Sequence, residues 1–129
     1  MAMKNVTYNQ PLEKQIGFSR AVRAGNVIAV SGTAPIAGDG SVHAPGDAYG
    51  QAKRCLEIIS DVLEKAGAGP KDVVRTRIYL KNISDWKAVA KAHGEIFSSM
   101  QPACTFVEVS GFINPEWLVE IEADAIVGD

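Results

Sequence analysis

The chain has 129 residues, 47% of them hydrophobic and 22% charged, with a formal net charge of −2 at pH 7. That composition suits one folded domain with mass enough for a real core, and it excludes a disordered chain. The near-neutral charge offers no basic footprint for nucleic acid or anionic lipid, and no apolar run reaches the roughly 20 residues of a membrane span.

In chain order, the start Met1-Ala2-Met3-Lys4-Asn5 lacks the apolar core and cleavage site of a signal peptide. Residues 1–15 are polar and weakly patterned, a lead-in or a short edge strand. Gly17 to Ala24 alternates, Gly25-Asn26 turns, and Val27 to Ser31 is strongly β-prone, which together read as a hairpin. Thr33 to Gly46 is rich in glycine and proline and reads as a loop, with a short strand near Ser41-Val42. Asp47 is placed to cap a helix whose apolar stripe is Ala52, Cys55, Leu56, Ile59, Val62, Leu63 and Ala66. Gly67 and Gly69-Pro70 stop it. Val73 to Lys81 alternates as a strand, with Val74, Thr76, Ile78 and Leu80 on one face. Ser84 then caps a second helix, with Trp86, Val89, Ala90, His93, Ile96 and Phe97 as its buried stripe. Pro102 to Ser110 and Leu118 to Ile126 alternate again, separated by Gly111 and Asn114-Pro115, and read as an antiparallel pair.

The order β-β-α-β-α-β-β, with two helices that each have one apolar face, predicts a two-layer α+β domain with both helices on one side of the sheet. No helix remains for the other face. Phe106, Glu108, Glu120, Glu122, Arg75, Arg77 and Tyr79 are assigned to it, and a face mixing aromatic and ion-pairing groups suits self-association. The two cysteines make no disulfide framework; Cys55 reads as core packing and Cys104 as a second free thiol, in keeping with a reducing cytoplasm.

Pro102-Ala103-x-Thr105-x-Val107-Glu108-Val109, a spacer, then Val119-Glu120-Ile121-Glu122-Ala123 resembles the C-terminal signature of the YjgF/RidA family, the reactive intermediate deaminases. Gly17-Phe18-Ser19-Arg20-Ala21-Val22, followed by Val30-Ser31-Gly32-Thr33, resembles that family's N-terminal hairpin. The resemblance spans nearly the whole chain, residues 1–129 as one domain. It implies a chorismate-mutase-like fold, a homotrimer whose sheets form a barrel, ligand clefts between subunits, and hydrolysis of small enamines or imines without a cofactor. By the same resemblance Glu120 is the glutamate that positions the attacking water. Ser31 and Gly32 lie in the cleft, and Phe18, Ala90 and Phe106 stand where the family has tyrosine, asparagine and often cysteine. Cys104 stands where deaminases carry an arginine for the substrate carboxylate, a bidentate grip that a thiol cannot imitate. The expected cleft is therefore more apolar and binds anions less.

Each site residue has a plainer reading beside the functional one. Glu120 is either the base that receives a proton from water adding to C=N or a structural partner of Arg75 or Arg77. Arg20 is either a replacement substrate cation or another ion-pairing partner. Cys104 is a pocket-lining side chain more readily than a nucleophile. His93 reads as a packed histidine, and with His43 in a glycine-rich loop no metal constellation is visible. Trp86, Trp117 and Tyr49 form no stacking platform with basic neighbours, and no acid–base histidine pair supports a ribonuclease. The rival to a deaminase is a trimer that binds small molecules or partners without catalysis.

Overall fold

The computed structural model describes residues 3–128; Met1 and Ala2, part of the start considered above for a leader, and Asp129 lie outside the described residues. One six-stranded sheet, in the order β1-β2-β3-β6-β4-β5, carries two long helices on one face. The strands are β1 (Met3–Val6), β2 (Ala21–Ala24), β3 (Val27–Thr33), β4 (Val73–Leu80), β5 (Ala103–Glu108) and β6 (Val119–Ile126). The helices are α1 (Pro11–Ile16), α2 (Ala48–Lys65) and α3 (Trp86–Phe97). The two-layer α+β architecture expected from the sequence is what forms. The weakly patterned start supplies the edge strand β1 and the short helix α1. The Glu13 carboxylate caps α1 by accepting the Tyr8 and Gln10 amides.

The hairpin β2–β3 closes at Gly25-Asn26 with Ala24 opposite Val27. Asp47 caps α2 as the sequence implies, its carboxylate accepting the Gly50 amide at 3.0 Å. Gly67 follows at φ 84°, the left-handed conformation that lets a helix end without a Cβ clash. Arg23 then donates to the freed Ala66 carbonyl at 2.7 Å. Ser84 does not cap α3. A 3-10 turn, Ile83–Asp85, precedes that helix, and Glu108 accepts the Ile83 amide instead.

The core lies between the helices and the alternate residues of the central strands: Ile28 and Val30 on β3, Ile78 and Leu80 on β4, and Val119, Ile121, Ala123 and Ala125 on β6. Cys55, Leu56, Ile59, Val62 and Leu63 of α2 fill it from above. Three expectations are corrected here. Val73 takes the core position expected of Val74, because β4 carries an extra residue where its pairing with β6 shifts between Val73 and Arg75. Trp86 is 47% exposed, and Ala92 rather than Ala90 is among the fully buried residues of α3.

The largest correction concerns β5 and β6. They are not a hairpin: β4 lies between them, antiparallel to β6 and parallel to β5. Cys104, Phe106 and Glu108 pair in register with Thr76, Ile78 and Leu80, so they share the helix-covered face. Phe106 and Glu108 are thus not on the open face. Ala103, Thr105 and Val107 hold that place, beside Arg75, Arg77 and Tyr79.

Candidate functional site

The site grows from one irregularity in β3. Val30 opposes Ala123 and Thr33 opposes Ile121, so both Ser31 and Gly32 face the single residue Glu122. A bulge of this kind turns the chain and frees backbone groups. The segment before β2 pins it. The Ser31 amide donates to the Arg20 carbonyl at 3.0 Å, and the Ser31 hydroxyl donates to the Ser19 carbonyl at 2.6 Å. The Thr33 hydroxyl donates to the Ser31 carbonyl at 2.8 Å. Arg20 Nη2 donates to the Gly32 carbonyl at 3.1 Å and to Thr33 Oγ1 at 2.9 Å.

Gly32 is glycine for a local reason. A Cβ there would sit 3.1 Å from Glu120 Oε1, tighter than ordinary van der Waals contact. Glu120 extends from β6 on the face away from the helices, because its neighbours Val119 and Ile121 are wholly buried on the other. It is half-buried. Among the described residues it has no ion-pair partner: Arg77 is committed to Asp124 at 3.1 Å and Glu122 at 3.8 Å. Neither Arg75 nor Arg77, the partners of the plainer reading, forms an ion pair with it among the described residues. Burial holds its carboxyl above the usual carboxylate range; the Arg20 charge opposes that rise and Glu122 adds to it.

Phe18, Ser19, Val22, Ser31, Arg77 and Glu122 line an adjoining concavity of about 740 Å³ on the open sheet face. Arg20, Gly32 and Glu120 stand beside it rather than in its wall. Phe18, Arg20, Ser31, Gly32 and Glu120 are thus brought together. Ala90, Cys104 and Phe106 are not. Cys104 is exposed on the edge strand β5, and Ala90 lies in the helix layer. Glu120 is level with Tyr79 and Cys104 with Thr76, so register puts them two strands and three residues apart, roughly 14 Å, on opposite faces. One chain does not bring the two groups into a common cleft.

His93 is a packed histidine. Its Nε2 lies 2.9 Å from the buried Thr76 hydroxyl, its ring stands 4.7 Å from Phe97, and burial lowers its pKa. Cys55 is fully buried, and burial pushes its thiol far up. Among the described residues no group of three or more His, Cys, Asp or Glu side chains is gathered as for a metal ion. Among the described residues no helix is long and apolar enough to cross a membrane. The sequence reading missed Thr33 as the second anchor of Arg20. A glycine inside a β-prone run, as in Ser31-Gly32-Thr33, is the signal that could have exposed the bulge.

The family model described as endoribonuclease L-PSP matches residues 9–127. An uncharacterised protein of Streptomyces coelicolor is 37% identical over 127 residues, 98% of this chain and 94% of its own length. The 3-aminoacrylate deaminase RutC of Acinetobacter baylyi is 36% identical over 107 residues, 83% of this chain and 84% of that protein. The crystal structure of a Mycobacterium tuberculosis member of the YjgF/YER057c/UK114 family superposes with a TM-score of 0.88 at 40% identity, covering 98% of this chain and 100% of that one.

Proposed function

The chain belongs to the endoribonuclease L-PSP (YjgF/Rid) family, and on that premise we propose that it hydrolyses small enamines or imines to a carbonyl compound and ammonia. One observation carries the reading: a half-buried carboxylate, Glu120, without an ion-pair partner among the described residues, is held against the Gly32 bulge with its pKa raised. A base for water attack needs that environment. Glu120 takes a proton from water as its oxygen bonds to the C=N carbon. Glu120 returns that proton to nitrogen, the hydroxyl proton of the resulting carbinolamine follows through the same carboxylate, the C–N bond breaks, and ammonia and the carbonyl compound separate. An enamine enters the same sequence after protonation on carbon. Ser31 and Gly32 contact the substrate, and Phe18 shapes the pocket. Ala90, Cys104 and Phe106 close it from a neighbouring subunit of a homotrimer, and no cofactor takes part. The relative named as a 3-aminoacrylate deaminase supports this substrate class.

The test is imine hydrolysis coupled to an amino-acid oxidase, with 3-aminoacrylate as a second substrate. Glu120→Gln is expected to lose at least about 100-fold in kcat, the scale of general acid–base catalysis, with the oligomer intact. Wild-type turnover unaffected by that substitution would remove Glu120 from the mechanism.

Cys104 favours a second reading. A thiol stands where deaminases of the resembled family carry an arginine, so a trimer that binds neutral small molecules without turning them over also fits. Silence from a folded trimer across both substrates would select it. A ribonuclease role finds no support in His93, which is held by Thr76 and stacked on Phe97.

A further inference from the structure

Resting on the reading of Glu120 as a base, we infer that Arg20 is a positioning residue: it fixes the Ser31–Gly32 bulge against which the Glu120 carboxylate stands. The sequence admitted Arg20 as a cation for substrate. The structure gives its guanidinium another occupation. Nη2 is shared between the Gly32 carbonyl at 3.1 Å and Thr33 Oγ1 at 2.9 Å, and Thr33 is 1% exposed. The guanidinium carbon lies 5.6 Å from the centre of the Phe18 ring. A side chain held by a backbone carbonyl, a buried hydroxyl and an aromatic ring is set in one place.

The charges around the pair are few. Arg20 is influenced by Glu13 from α1, Tyr8 from the lead-in, Glu120 from β6 and Cys55 from α2. Glu120 is influenced by Arg20 and by Glu122, and Tyr79 faces it across β4. Arg77, on the strand beside β6, is engaged by Asp124 and Glu122. Arg20 is thus the positive charge that offsets the burial of Glu120. It acts across Gly32, the residue whose position it fixes, so geometry and charge are set by one side chain. Without it the carboxyl would hold its proton to higher pH and would stand against a looser bulge.

The experiment is a pH titration of the Glu120 carboxyl by carbon-13 NMR, assigned as the signal absent from Glu120→Gln. Wild type, Arg20→Gln, Arg20→Lys and Thr33→Val are compared. The midpoint should move upward in Arg20→Gln, stay close to wild type in Arg20→Lys, and move upward by less in Thr33→Val. The Gly32 amide resonance should shift in Arg20→Gln and Thr33→Val. In turnover, Arg20→Gln should lower kcat about tenfold on the acid limb of the pH profile, with KM little changed and activity recovering as pH rises. If Arg20 grips substrate instead, KM rises and the Glu120 midpoint does not move, which overturns the inference. Should Arg20→Gln fail to fold, Thr33→Val decides: an unmoved Glu120 midpoint with an unmoved Gly32 amide is the contrary result. The two readings fail separately. A moved midpoint in a protein that never hydrolyses imines retires the deaminase and leaves the hold of Arg20 on Glu120 standing.

Discussion

Glu120 shows how a side chain can serve a site at the expense of the fold. Its folded-state pKa is raised mainly by burial, so the folded protein holds this proton more tightly than the unfolded chain does. Stability then falls as pH rises from the ordinary carboxylate value, about 4.3, through the raised folded value. Glu120→Gln removes that fall. Its melting temperature should exceed that of wild type at pH 7 and converge with it near pH 4, measured by thermal unfolding across that range; a lower melting temperature at pH 7 would mean that the carboxylate stabilises the fold. Cys104 poses the opposite question. It is exposed on an edge strand, so Cys104→Arg should alter stability by less than about 0.5 kcal/mol. A charge-assisted pair is worth about 1.5–3 kcal/mol, so the same change should lower KM for imines that carry a carboxylate by about 10- to 100-fold. No gain in a steady-state assay would mean that the pocket has diverged at Phe18 and Ala90 as well.

Among the elements, α2 is tied to the far end of the chain by one residue that hydropathy does not reveal. Gln51 is fully buried; its amide donates to the Glu116 carbonyl at 3.1 Å and its carbonyl oxygen accepts the Leu118 amide at 2.8 Å. It sets the entry to β6, the strand that carries Glu120. Gln51→Leu strands both backbone groups and should cost about 2–5 kcal/mol, read by urea denaturation. The helical stripes and the faces of β4 and β6 were legible because apolar residues recur there at the element's own period. The neighbours of β5 were not, because alternation tells which face a strand buries and nothing about which strand lies beside it. A signal was present all the same. A strand, a helix and a strand in succession, β4-α3-β5, form a crossover unit that favours parallel neighbours, and that order outweighs the closeness of β5 and β6 in sequence. The Val74 bulge and the Glu108 cap depend on pairs distant in sequence, so local pattern could not place them; the Ser31–Gly32 bulge left only its glycine as a local sign.

At the scale of the whole molecule, the site residues fall into two groups at separate places on one sheet. Phe18, Arg20, Ser31, Gly32 and Glu120 gather at the β3 bulge, while Cys104 and Phe106 lie along β5 on the helix side. The open face between them is polar and partly apolar, with Arg77, Glu122 and Asp124 beside Ala29 and Val22. If the cleft is built between copies, sedimentation at micromolar concentration should give three times the chain mass, and Glu120→Gln and Cys104→Arg should both retain it. A monomer at that concentration would leave Cys104 without a route to Glu120.

The place of β6 has a consequence for how the protein is made. It lies between β3 and β4, yet the ribosome delivers it after both, roughly 86 residues beyond the end of β3. At about 5–20 residues per second, β3 waits some 4–17 s for the neighbour that completes it. Once β4 has emerged and until β6 follows, the nascent chain offers two open strand edges, on β3 and β4, the kind of surface that invites pairing with the wrong chain. The sheet is closed from its middle, last, by the strand that also brings the carboxylate.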